Sequence, residues 1–276
     1  MRGFVITILS VSLIMILVML AMSFRNAQLS TERALMEPLP MIYAAFLLDD
    51  IAYELNSIIG PDLYLDERND SMIITIKDKL ESYNYSPELL AYEPLLTGEI
   101  ADRTASEISA NFSNLTDGEI TLFINDDYSY TNNHITNESI FTRDGSTGVA
   151  AYEINFTITA VRTNVTHMAF DDNGSVNVTI IYTDLNSTET EQGKILPDRV
   201  NTFKVDYVGG GSMTVIIGLK SGNSGSLSMK STGIGAEIAW TATLPRLNAT
   251  KRLGYEYDAT IDYTQGPVRI SKRIGK

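Results

Sequence analysis

Apolar residues are distributed along this chain in three regimes. From residue 4 to residue 22 they are nearly continuous, interrupted only by Thr7, Ser10 and Ser12, and no charged side chain occurs over residues 3–24. A helix rising about 1.5 Å per residue crosses a hydrocarbon layer of roughly 30 Å in twenty such residues. It satisfies every amide internally while doing so. The run predicts a transmembrane anchor over 1–24. A cleaved secretory signal is the second reading, with Ala21-Met22-Ser23 as the cut site, although the apolar core of such signals usually spans only about 7–15 residues.

The second regime, 25–60, has helical spacing. Leu35, Leu39, Ile42 and Phe46 recur every three or four residues, as do Met41, Ala45, Leu48, Ala52, Leu55 and Ile59, with Asp49, Asp50 and Glu54 on the polar side. Pro38 and Pro40 lack amide donors and interrupt the pattern. The expectation is a kinked juxtamembrane stalk: a short helix to Glu37, then a second from about Met41 to Ile59, ended by Gly60 and Pro61. Its apolar face must be covered. The chain's own domain is the first expected cover, and self-association or an envelope partner through the stalk is the alternative.

From residue 61 the pattern changes again. Residues 61–117 read as a small mixed α+β region: a strand or helix start at 72–76, a short helix at 88–96 after Pro87, and an ambiguous stretch at 100–110. From 118 to 276 the period is two. Ile120, Leu122 and Ile124 share one face, as do Ile154, Phe156, Ile158 and Ala160, and then Val176, Val178, Ile180 and Tyr182. The turn Asp171-Asp172-Asn173-Gly174 predicts a hairpin joining 157–170 to 175–183. Further strands are expected at 200–208, 212–219, 226–230, 236–244, 255–263 and 268–271, with tips at 209–211 and 221–225. The polar stretch 126–148 is long for a bare loop, and either holds an extra hairpin or is a surface insertion. Trp240, Phe156, Leu244 and Tyr257 are expected in the core. The resulting fold class is an N-terminal transmembrane helix and kinked stalk, then a mostly antiparallel, sandwich-like β ectodomain with a small α+β lead-in.

Composition then restricts function. The net charge is −13, from 21 Lys and Arg against 34 Asp and Glu. Such a surface repels nucleic acid, so no nucleic-acid partner is expected. The absence of cysteine removes disulfides, thiol nucleophiles and thiolate metal sites.

Asparagine placement is the most informative compositional feature. The triplet Asn-x-Ser/Thr occurs at Asn69, Asn84, Asn111, Asn114, Asn137, Asn155, Asn164, Asn173, Asn177, Asn186 and Asn248. With 18 asparagines and Ser plus Thr at 50 of 276 residues, chance placement gives about three. Eleven acceptors behind a membrane span predict N-glycosylation outside the cytoplasm. A Thr-rich β protein with many Asn turns is the bland alternative.

Catalytic groupings are sparse. His134 and His167 have no companions at metal-ligand spacing and read as surface or turn residues. Asp171 and Asn173 faintly suggest a calcium loop, but Tyr182 stands where the twelfth-position Glu is required. Gly209-Gly210-Gly211 lacks the following Lys-Ser/Thr of a phosphate loop. No catalytic, cofactor or metal residues are assigned.

Met1, Arg2, Gly3 and Phe4 ahead of the apolar run resemble the processing region of type IV pilin-like proteins. The resemblance implies a cut after Gly3, Phe4 as the new N-terminus, helix packing in a filament core and a β-rich extracellular head, N-glycosylated in many archaeal members. Ile8 stands where that family carries Glu at the fifth mature position.

The expected function is that of a single-pass cell-surface glycoprotein, not an enzyme, held in the lipid bilayer through residues 4–22, with a structural or adhesive role in the envelope. The alternatives are a pilin-like filament subunit and a solute- or glycan-binding module or enzyme. The last would show a cleft of converging acidic and aromatic side chains.

Overall fold

A computed structural model describes residues 19–25, 38–59, 61–68, 70–81, 86–124, 128–143, 148–218, 225–245 and 254–275. Residues 19–25 are helical, with Met19, Leu20, Met22 and Phe24 exposed. Among the described residues no helix is long and apolar enough to cross a membrane. The expected span lies outside them as far as residue 18, as does the expected short helix before Glu37.

Helix α1, Pro38–Ile59, leads into the body. Pro38 and Pro40 fall in its first turn, where a missing amide donor is tolerated; the expected kink borders residues outside the described ones. The buried stripe is Ala44, Leu48, Ile51, Leu55 and Ile59, while Met41, Ala45 and Phe46 are exposed. The docked face keeps Leu48, Leu55 and Ile59 of the expected stripe and takes Ala44 and Ile51 in place of Met41 and Ala45. The apolar surface is wide enough to contain both stripes, and packing selects one. The helix lies against the C-terminal strand Val268–Gly275, and the Tyr257 hydroxyl donates to Asn56 Oδ1. The chain's own domain is thus what covers it.

Two sheets follow. The first runs in the order β1 (Asp62–Glu67), β2 (Ser71–Leu80), β14 (Ala236–Pro245), β7 (Ala151–Thr157), β9 (Val176–Thr183), β10 (Thr188–Ile195). The second runs β16 (Val268–Gly275), β15 (Tyr255–Gln265), β4 (Glu119–Ile124), β5 (Tyr128–Asn133), β6 (Glu138–Arg143), β13 (Ser226–Thr232), β12 (Ser212–Gly218), β11 (Asn201–Tyr207), β8 (Arg162–Thr166). Strand β3, Glu107–Asn111, pairs with β15 on the edge that β4 also uses. All described pairs are antiparallel except β7 with β9. Strands from 61–117 are therefore woven into both sheets.

The sheets face each other across an aromatic core. Trp240 of β14 meets Phe141 of β6 and Tyr130 of β5, with ring centres 4.8 and 5.8 Å apart. Phe156 and Tyr182 of the first sheet meet Phe203 of β11 at 6.1 and 5.4 Å. Such pairs add about 0.5–1.5 kcal/mol each beyond the area they bury. Trp240, Phe156, Leu244 and Tyr257 are all buried.

The expected hairpin at 171–174 does not form. The turn is present, closed by Gly174 N–H to the Asp171 carbonyl at 2.8 Å, but it joins β8 of the second sheet to β9 of the first. Strands β7 and β9 lie side by side in parallel, and the chain crosses to the other sheet and back between them. A parallel pair cannot be joined by a two-residue turn, so a local turn signal misidentified the partner. The polar stretch 126–148 holds the hairpin β5–β6. The tip at 209–211 joins β11 to β12, with Gly209 and Gly210 at φ 96° and 89°.

Between β2 and β3 lies a helical segment: α2 (Ser86–Pro94), a π-helical turn (Leu95–Ile100) and α3 (Ala101–Thr104). Leu89, Tyr92 and Leu96 turn inward, and Tyr92 stacks on Phe112 at 6.3 Å. A four-residue helix α4, Ser113–Thr116, precedes β4.

Candidate functional site

Among the described residues, three places gather polar chemistry. One is a groove where α1 meets the β1 and β15–β16 edges. Alternation in β1 sends Asp62 and Tyr64 to the surface. The polar side of α1 contributes Asp49, Asp50, Tyr53 and Asn56; Tyr255 and Lys272 close the opposite wall. The cavity volume is about 670 Å³, within the range of about 300–1,000 Å³ usual for ligand clefts. Tyr53 is 77% and Tyr64 56% exposed, so both rings are open to a ligand. Tyr255 is half-buried, and burial raises its hydroxyl above the ordinary value. Its ring stands edge-on to Tyr257 at 5.9 Å.

The second place is the far side of the sandwich, where the sheet edges β8 and β10 come together. Arg162 donates to the Tyr182 hydroxyl at 2.7 Å, pairs with Glu189, and lies 3.4 Å from Asp184. The Tyr182 hydroxyl donates to Glu189 at 2.5 Å, and Asp184 accepts the amides of Asn186 and Ser187 at 2.7 and 2.8 Å. Hydrogen bonds from Arg162 and then from Tyr182 hold the Glu189 carboxyl below its usual range. Burial, then the Glu189 hydrogen bond, pushes Tyr182 up to about 12. His167 pairs with Glu191 on the same edge. Every member of this group is engaged by another, which makes it a latch between the sheets.

The third place is interior. Asp78 occupies an inward position of β2, in series with Met72, Ile74, Ile76 and Leu80. It accepts the Tyr130 hydroxyl and the Asn132 amide at 2.7 Å each, and the Lys79 amide at 2.7 Å. Burial raises its pKa against the pull of those donors. Nearby, His134 is buried with Nδ1 3.2 Å from the Glu81 carbonyl. The surface position expected for His134 is thus corrected: it lies just past β5, whose inner face points into the sandwich. His167 is exposed.

Among the described residues no group of three His, Asp or Glu side chains is placed to hold a metal. Asp171 uses a carboxylate oxygen to accept the Asn173 amide at 2.9 Å, a turn contact.

The acceptor asparagines lie at the surface. Asn111, Asn114, Asn164, Asn173, Asn177 and Asn186 are exposed, and Asn137 and Asn155 are half-buried. Asn69, Asn84 and Asn248 lie outside the described residues. Asn155 sits on the outer face of the first sheet beside a hollow of about 350 Å³ lined by Lys77, Lys79 and Glu237. The acceptors are spread over both sheets and several turns, so the fold does not gather them into one site.

Sequence reasoning placed Asp49 and Asp50 on the polar side of a helix but did not join them to Tyr64 and Tyr255. The available signal was the density of Tyr and Asp across 43–64. Fold and groove together define a class, a β-sandwich with one open side closed by a helix and an acidic, tyrosine-walled groove along that helix. Comparison with protein families, curated proteins and solved structures gives no match for this chain.

Proposed function

We propose that this chain is a membrane-tethered, N-glycosylated protein of the cell surface, whose β-sandwich serves a structural or adhesive role outside the cytoplasm. The observation that carries the proposal is the placement of the acceptors. All eight described acceptor asparagines reach the surface, whereas the buried asparagines Asn132 and Asn201 belong to no acceptor triplet. Asparagine favours the surface in any chain, so this placement supports the proposal jointly with the excess of triplets, eleven against the about three that chance placement gives. The apolar run at 4–22 supplies the tether.

The test is protease shaving of intact cells with glycosidase treatment of the released fragment. The expected result is release of the domain and a gel shift on deglycosylation. An unmodified chain recovered from the soluble cell interior overturns the proposal.

A second reading is favoured by one observation. The groove along α1 brings acidic and aromatic side chains together as a binding module requires. In that reading the tethered domain captures a ligand rather than serving only as scaffold.

A further inference from the structure

The groove along α1 has two properties that select a ligand. The first is charge. Asp49, Asp50 and Asp62 line it with one cation, Lys272, and Lys77 stands at its edge opposite Asp62, so three carboxylates face two ammoniums, a local balance of −1. Among the described residues none of the three carboxylates takes part in an ion pair. The second is aromatic surface. Tyr53, Tyr64 and Tyr255 converge on the same cavity. Scattered surface tyrosines are ordinary, but three on one groove are not scattered.

Carboxylates and aromatic faces present the same sign of field to a ligand, and both attract cations. The chain already uses this chemistry at the groove's edge, where the Lys77 ammonium lies 5.7 Å from the centre of the Tyr64 ring. An anionic ligand is repelled. A neutral sugar leaves the carboxylate excess uncompensated. A third observation concerns access: no acceptor triplet lies on α1, β1, β15 or β16, and the described acceptors that meet β15, Asn111 opposite Thr260 and Asn114 bonded to Asp258, touch residues that do not line the groove.

We infer that this groove binds a cationic side chain, the guanidinium of Arg or the ammonium of Lys, presented by a protein partner. Tyr53 and Tyr64 stack on the cation while Asp49, Asp50 and Asp62 balance its charge. The inference stands whether or not the domain lies outside the cytoplasm.

The test uses the full chain in neutral-detergent micelles and a probe of one positive charge, Nα-acetyl-arginine amide. Ring signals of Tyr53 and Tyr64 are followed by NMR. The expected result is saturable shifts that weaken as salt rises from 0.02 to about 0.5 M. Replacing either ring, Tyr53→Ala or Tyr64→Ala, weakens binding about three- to tenfold. The double variant Asp49→Asn/Asp62→Asn weakens it about tenfold. Removing two exposed carboxylates elsewhere, Asp117→Asn/Asp172→Asn, leaves it unchanged. Each variant is first shown to keep the thermal transition of the parent chain. Three outcomes overturn the inference: no saturable shift, equal weakening by the remote variant, or shifts produced by methyl glucoside at concentrations where the arginine probe gives none.

Discussion

Asp78 stands where the alternation of β2 would place an apolar side chain, and three donors converge on it. Removing this acceptor takes a partner from the Tyr130 hydroxyl and the Lys79 N–H and leaves the Asn132 amide only its 3.3 Å bond to the Lys79 carbonyl. Asp78→Ala is expected to lower unfolding stability by about 2–4 kcal/mol, measured by urea denaturation. Its pH behaviour has a definite sign. The folded pKa is raised by burial, so its contribution is full below the unfolded value and lost as pH rises through the folded one. Glu189 has the opposite sign. Arg162 and Tyr182 depress its folded pKa, so its contribution is present above the unfolded value and lost as pH falls through the folded one. The stability difference between the parent and Glu189→Gln should therefore be constant near neutrality. It should begin to shrink in denaturation curves taken below the unfolded carboxyl value and disappear once pH has fallen through the depressed folded one. Gly218 shows a third kind of constraint: at φ +128° an added Cβ would lie 1.8 Å from the Arg199 carbonyl oxygen.

At the scale of elements, α1 has two faces with different energetic weight. Leu55 is fully buried and Phe46 is 66% exposed. Leu55→Ala should cost about 2–5 kcal/mol, and Phe46→Ala should stay within about 0.5 kcal/mol. Paired thermal melts of the two variants check this, and equal costs would mean that α1 docks by another face. The same helix shows what period analysis delivers. The 3.6-residue pattern located α1, its end at Ile59 and the C-terminal half of its docked stripe, Leu48, Leu55 and Ile59, but not Ala44 and Ile51, because apolar residues lie on more than one face of the helix. Strands with strict alternation, such as 120–124 and 176–182, were legible because one face is wholly buried. Strand β10 was not. Its inward positions hold Glu189, Glu191 and Gly193, so the period-two signal has no apolar phase until Ile195. Those carboxylates are inward because they serve the Arg162 latch rather than the core. Pairing across the crossover at 158–175 was likewise illegible, since a turn sequence specifies its own geometry and not which strand lies opposite.

For the whole molecule, the decisive feature is that the two open sides of the sandwich are closed by different physics. One side is shut by the ionic and tyrosine latch between β8 and β10, the other by apolar docking of α1. The groove exists only because of the second closure, since Asp49, Asp50 and Tyr53 come from the helix and Asp62, Tyr64 and Tyr255 from the strands. The density of Tyr and Asp across 43–64 marks one wall, but no local pattern joins it to Tyr255 and Lys272, because the two walls are brought together by tertiary packing. High salt screens exposed ion pairs but strengthens apolar burial when the anion is kosmotropic. The two closures should therefore separate experimentally. Removing residues 1–60 takes away α1, and with it the cover of Tyr257 and its hydrogen-bond partner Asn56. The 61–276 fragment is then expected to lose cooperative unfolding and to bind a hydrophobic dye, with sulfate failing to restore the parent's near-UV signal from Trp240, because the missing apolar partner is no longer in the chain. By contrast, Arg162→Met in the full chain should leave the near-UV signal intact and lose that part of the parent's melting-temperature response to sodium chloride that comes from screening the latch. A 61–276 fragment that melts cooperatively at the parent's temperature would show that the sandwich closes without α1, and that the helix is an addition to the fold rather than part of its core.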